Sequence, residues 1–170
     1  MTYTWAAVRA AEPTFADLVE RRFRRFTHHV LGTLTADGSP RLTGLEADFR
    51  EDELWLGMMP NSRKALDLRR DPRFALFANP GGDVEPESLD DVRVAGRAAE
   101  VTDPAEVARY AAGLREGAAP EVFHLFRAEV TEVTRVTIEV PDIVVESWRP
   151  EGGLRRRRRG NDASPPREDR

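Results

Sequence analysis

Asn61-Ser62-Arg63-Lys64 opens a short segment that closes on Asp71-Pro72, and Lys64 is the only lysine in the 170 residues. Every other long basic side chain is arginine. The spacing predicts a helix: Asn61 or Ser62 can accept a hydrogen bond from a free first-turn N–H, and the residue before Pro72 is turned away from αR. A helix N-terminus carries partial positive charge, so two cations in its first turn cost roughly 0.3–1 kcal/mol each if nothing neutralises them. An anion held there reverses the sign, because free N–H groups, the helix dipole and both cations converge on it. Charges that are wrong for the cap and right for a ligand point to a phosphate. Solvated surface cations are the competing reading of this segment taken alone.

Other chemistry-bearing residues carry less. His28 and His29 are adjacent, so on a strand they point to opposite faces and do not share an ion, and His124 is far away in sequence. No metal site is expected, and His28 reads as surface or interface packing. Glu46, Asp48 and Glu51 sit in an alternating hairpin whose solvated outer face accounts for them. The chain has no cysteine, no nucleophile elbow and no glycine-rich phosphate loop ahead of a helix.

The elements that must position the Arg63-Lys64 turn follow from periodicity. Residues 13–27 place Phe15, Leu18, Val19, Phe23 and Phe26 on one helical stripe. Strands are expected over 29–34, 40–49 and 54–58, the first two joined by the Asp37-Gly38 hairpin signal. Residues 73–78 and 92–101 give two more, separated by an acidic Pro-Gly-Gly loop. Asp103-Pro104 starts a helix running to about residue 115, residues 119–126 read as a short helix, and 128–139 and 143–148 complete the sheet. Hairpin-linked strands with interposed helices predict an α+β fold: a mainly antiparallel, partly closed barrel with short flanking helices.

Composition bounds the rest. Charged residues make up 33% and apolar residues 40%, as expected of one soluble domain with one core. No apolar run is long enough to span a membrane, and the first residues lack a signal-peptide layout, so the cytoplasm is the expected location. From Arg149 onward there are eight arginines and four acids, leaving 18 basic and 26 acidic residues on the remainder. An acidic body argues against a domain whose main surface grips nucleic acid. The expected organisation is a barrel domain over 1–150 and an arginine-rich, disordered tail over 151–170.

The order of hairpin, strand, Ser62-Arg63-Lys64 helix, Asp71-Pro72-Arg73-Phe74-Ala75-Leu76 and Val92-Arg93-Val94-Ala95-Gly96-Arg97 resembles the pyridoxamine 5′-phosphate oxidase-like family. The resemblance runs from about His29 to Val101, with a weaker echo at 146–150. It implies an FMN-binding split β-barrel, with coenzyme F420 as the alternative cofactor. By resemblance, Arg63 and Lys64 bind the cofactor phosphate with Ser62 as a further donor. Gly57, Met58, Met59 and Asn61 run beside the cofactor, and Arg41 and Thr43 lie along the same cleft. The implied activity is hydride transfer between the cofactor and a small organic substrate, with a non-catalytic flavin- or haem-type binding or sensor protein as the alternative.

Departures fall on the substrate side. Arg41-Leu42-Thr43-Gly44-Leu45-Glu46 replaces the oxidase's basic strand ending in lysine, and a run of arginines replaces its closing Arg-Leu-small-Pro signature. Pyridoxamine phosphate is therefore not the expected substrate. Arg155–Arg159 can contact nucleic acid or another anionic surface, can be a solvated tail relieved by Asp162, Glu168 and Asp169, or can reach an acidic extension such as a deazaflavin's polyglutamate. The resemblance also implies a homodimer with the cofactor at the interface. Phe15, Phe23, Phe26 and Trp148 are the expected exposed aromatics, with Trp148 supplied across that interface, unless they complete the monomer core.

Overall fold

A computed structural model of the chain describes residues 3–81, 90–114 and 122–169. It contains α1 (Trp5–Ala11), α2 (Pro13–Arg24), β1 (His29–Leu34), β2 (Pro40–Leu45), β3 (Ala47–Arg50), β4 (Glu53–Met58), α3 (Arg63–Arg70), β5 (Arg73–Phe77), β6 (Asp91–Glu100), α4 (Pro104–Ala112), β7 (His124–Glu139), β8 (Asp142–Arg149), β9 (Gly153–Arg159) and β10 (Arg167–Glu168).

All pairings are antiparallel, and the strands run β10-β9-β8-β7-β6-β5-β1-β2. On the far side of β7 the strand β4 pairs with its first residues, His124 to Arg127, and β3 pairs with β4. Strand β8 pairs instead with the last half of β7, from Val133 to Glu139. One long strand thus serves a barrel at one end and an extension at the other, so the sheet does not close. The fold is the expected α+β split barrel. In the gap between β4 and β8, the Val130 N–H donates to the Tyr3 carbonyl at 2.7 Å, so the segment before α1 fills the split.

Alternation buries one face of each barrel strand: Leu31, Leu54, Leu56, Leu76, Val92, Val94, Phe126 and Ala128 form the core. Helices α1 and α2 cover it. Trp5 and Phe23 pack on Phe49 with ring centroids 4.8 and 5.2 Å apart. Helix α1 was not foreseen, because seven residues carry too little period. It is tied down by a buried acid: Glu20, only 1% exposed, accepts from Trp5 Nε1 at 2.6 Å and pairs with Arg9 and Arg24.

Four expectations are corrected. The 40–49 strand is two strands, bent at Glu46. The helix expected over 119–126 is strand from His124 onward, and 119–121 lie outside the described residues. The arginine run, expected to be disordered, is strand β9, paired with β8 over seven residues from Ile143↔Arg159 to Arg149↔Gly153. Arg156 and Arg158 turn to a bed of acids: Arg158 pairs with Glu139 at 2.6 Å and Asp169 at 3.0 Å, and Arg156 pairs with the same two carboxylates. Lastly, three of the four aromatics expected at an interface complete the monomer core, and Phe26 is half-buried. Phe15, Phe23 and Trp148 are each 3% exposed or less, and Phe26 carries the guanidinium groups of Arg22 and Arg25 over its ring.

Candidate functional site

Strand β4 delivers Met58 to a tight turn, and Asn61 adopts φ 56°, the left-handed region that asparagine tolerates best after glycine. Two bonds hold the turn. Ser62 N–H donates to the Met59 carbonyl at 3.2 Å, and Asn61 N–H donates to His124 Nε2 at 3.1 Å. His124 therefore carries its proton on Nδ1, where it faces Glu100 Oε1 at 2.9 Å, and Arg69 grips the same carboxylate at 2.6 and 2.7 Å. That bond from Arg69, helped by His124, holds the Glu100 carboxyl below the ordinary range. The pairing Met58↔His124 brings this histidine to the turn from 63 residues away.

Helix α3 begins directly after Ser62, and its first turn contains no acid. Ser62 makes no side-chain cap bond, its Oγ is buried without a hydrogen-bond partner, and the Arg63, Lys64 and Ala65 amides have no intrahelical acceptor. Arg63 is exposed and makes no hydrogen bond or ion pair among the described residues. Lys64 lies back over β2 and donates from Nζ to the Gly44 carbonyl, and burial pulls its pKa down. One residue before that carbonyl, Thr43 Oγ1 is likewise buried without a partner. Buried hydroxyls left unpaired cost about 1–3 kcal/mol each, and two of them accompany this uncapped helix start.

Beside the cap lies a cleft of about 330 Å³ between β2 and β4, with Lys64 at one side and Gly44, Leu45, Gly57 and Met58 on its walls. Opposite are Tyr110 of α4 and Phe123, ring centroids 6.2 Å apart. Tyr110 also rests on Trp55 at 5.4 Å, has Arg50 over its face, and donates its hydroxyl to Asp48 at 3.3 Å. Burial, with Asp48 adding to it, pushes the phenol pKa up, so the ring stays neutral. At the mouth, His28 Nε2 lies 3.3 Å from Glu46.

Gly57, Met58, Met59 and Lys64 line the cleft, and Asn61, Ser62 and Arg63 form the cap next to it. Arg41 is placed otherwise: Asp67, only 4% exposed, holds its Nε at 2.7 Å, along with Arg70 and Thr33. Burial disfavours the Asp67 charge, but these three bonds outweigh it and its carboxyl stays below the ordinary range. Trp148 is not at the cleft either. It lies in the core, edge-on to Tyr3 at 6.4 Å. Tyr110, Phe123, His28 and His124 were not foreseen as site residues; the aromatic pair comes from α4 and the approach to β7, and nothing local in the sequence links those to Lys64.

The model of the family described as pyridoxamine 5′-phosphate oxidase matches residues 15–137, and the chain belongs to that family. No curated protein matches it. Among solved structures it is similar to a pyridoxamine 5′-phosphate oxidase-related, FMN-binding protein from Nostoc punctiforme: TM-score 0.60, 16% identity, 88% of this chain and 96% of that one. A putative pyridoxamine 5′-phosphate oxidase from Listeria innocua matches with TM-score 0.54 and 15% identity over 70% of this chain and 95% of that one. A heme-binding protein from Mycobacterium smegmatis matches with TM-score 0.59 and 20% identity over 78% of this chain, which spans 57% of that protein's length. At these identities the likeness shows the shared fold.

Proposed function

We propose that the chain binds FMN at the α3 cap and the adjoining cleft, and acts as a flavin-dependent oxidoreductase on a small organic molecule. The observation that carries this reading is the cap itself: an uncapped helix start with two cations, no acid and a buried, unpartnered Ser62 hydroxyl. Those donors fit a phosphate monoester, and the family and the FMN-binding Nostoc structure support FMN as its bearer. When bound, the flavin ring supplies the hydride chemistry. The chain's own part is binding and orientation. Arg63, the Ser62 hydroxyl and the first-turn amides take the phosphate, and Lys64 adds charge from the β2 side. The Gly44 and Gly57 positions, free of side chains, leave the cleft walls open to a flat ring. Tyr110 and Phe123 offer that ring an apolar shelf and exclude water.

Coenzyme F420, which also carries a phosphate, is the alternative occupant. The unit we propose is a homodimer, supported by Met59 and Leu42, 64% and 73% exposed beside the cleft and on edge strand β2. A second reading is non-catalytic haem binding, favoured by His28 at the mouth of the cleft and by the heme-binding neighbour. Titration of the purified chain with FMN, F420 and haemin, followed by absorption and fluorescence, separates these readings. Saturable flavin quenching with one site per chain is expected. A Soret shift with haemin and no response to either flavin would overturn the proposal.

A further inference from the structure

Strand β9 sorts its arginines by face. Arg156 and Arg158 lie on the acid bed of Glu139, Asp142, Glu146 and Asp169. Arg155, Arg157 and Arg159 point the other way and are exposed. Arg155 and Arg159 make no hydrogen bond or ion pair among the described residues, and Arg157 makes one, to the exposed Glu168 at 3.0 Å. Charged edge strands commonly serve to block sheet-to-sheet pairing, and that alone would explain exposed arginines on a flat surface. This surface is not flat. Arg155 and Arg157 line a groove of about 850 Å³ with Arg149, Ser147 and Thr131, closed at one end by the 150–153 turn. Ser147 lies directly opposite Arg155 across the β8–β9 ladder, so a hydroxyl and a guanidinium share one row.

Charge in the groove is unbalanced. Arg149 is answered by Glu132 at 3.1 Å, and Glu151 is the acid on the rim, while Arg155 has no counter-charge and Arg157 shares an exposed one. The chain as a whole is net −4, so this concavity is positive against the general field. Alternate residues of a strand stand about 6.6–6.8 Å apart, and guanidinium forks at that spacing can converge on adjacent phosphoryl groups, each bound in bidentate fashion.

We propose that this groove is a second anion site, which takes a small ligand carrying two or more linked phosphates. It is separate from the cofactor cleft. The two share no lining residue, and along β7 one lies next to the His124 end and the other at Thr131, seven positions on, or roughly 23 Å of strand. The proposal does not depend on which cofactor fills the cleft.

Calorimetric titration of the full chain with inorganic tripolyphosphate, without and with saturating FMN, tests it. Citrate serves as the carboxylate arm. With FMN filling the cap, one tripolyphosphate per chain is expected, at least tenfold tighter than citrate, and weakening steeply with salt. Arg155→Gln, and Arg155→Gln with Arg157→Gln, should weaken it about tenfold or more while leaving FMN affinity and the thermal unfolding midpoint near wild type. Arg63→Ala should leave it unchanged. Competition with FMN that Arg155→Gln abolishes and Arg63→Ala does not would show that the arginines serve the cofactor site and would overturn the proposal. So would unaltered binding in a folded double variant, absence of binding by wild type, or citrate binding as well as tripolyphosphate.

Discussion

Lys64 is partly buried, its pKa is lowered, and its Nζ is bonded to a backbone carbonyl that carries no full charge. A bound phosphate would stabilise this ammonium as much as the ammonium stabilises the phosphate. Arg63→Ala and Lys64→Ala are each expected to weaken FMN about ten- to hundredfold, or 1.5–3 kcal/mol, as read by fluorescence titration. Unchanged affinity in both would move the site elsewhere. A second residue-scale expectation concerns His29, 3% exposed, which accepts from the Asn79 N–H at 3.2 Å and meets Phe23 edge-on. Burial, with Arg22 and His28 adding repulsion, lowers its pKa from 6.5 to about 4. Above pH 6.5 folded and unfolded chains are both neutral there. Below it the unfolded chain takes up a proton that the folded chain refuses, so stability falls as pH drops from 6.5 to about 4. The loss should approach about 3 kcal/mol, and His29→Gln should lack that part of the pH profile in urea unfolding. If wild type and variant show parallel profiles, His29 is not the group responsible. The cap was legible in the sequence because its signals are contiguous: Ser62, the two cations and Asp71-Pro72 fall within twelve residues. Tyr110 and His124 were not legible as site residues, since only the packing of α4 on Trp55 and the pairing of β7 with β4 bring them to this site.

At the scale of elements, β9 shows where pattern reading fails. A two-residue period is visible only when neighbours differ, and five identical arginines hide which face each one takes. What orders them is the non-local acid bed of Glu139 on β7, Asp142 and Glu146 on β8, and Asp169 just after β10. Deleting 151–170 should therefore destabilise the chain, since seven cross-strand pairs at roughly 0.2–1 kcal/mol each sum to a few kcal/mol. An unchanged denaturant midpoint would return the segment to the status of a tail. The β6–β7 ladder holds a sharper test. Its register shifts between Ala95 and Gly96, and a Cβ on Gly96 would run into the Glu129 backbone carbonyl, which has no flexible atom to give way. Gly96→Ala is expected to lower stability by about 2–4 kcal/mol, measured by urea unfolding, with FMN affinity per folded chain preserved. A loss below about 0.5 kcal/mol would mean that the ladder slides to accept it. By contrast, β6 was readable from alternation, because it sets Val92, Val94 and Ala98 against Asp91, Arg93 and Arg97.

For the whole molecule, the expected aromatic interface was misplaced: Phe15, Phe23 and Trp148 are needed to fill a barrel that α1 and α2 cover. Leu42 and Met59 are among the apolar side chains left exposed, with Leu66, Val122, Ile138 and Val140. If the chain pairs through Leu42 and Met59, light scattering at micromolar concentration should give two chains, and Leu42→Glu should shift it toward one while weakening FMN. A monomer with full FMN affinity would rule out a shared site. The bond from Val130 to Tyr3 has a consequence for how this molecule is made. It joins positions 127 residues apart, so the seam of the barrel is among its longest-range contacts, and closure entropy makes such contacts late. During synthesis the Tyr3 segment must wait until β7 has left the ribosome, whereas Trp5 and Phe23 can meet Phe49 much earlier. The split therefore stays open to chaperones for most of translation, and it seals only as the last strands β8 to β10 emerge.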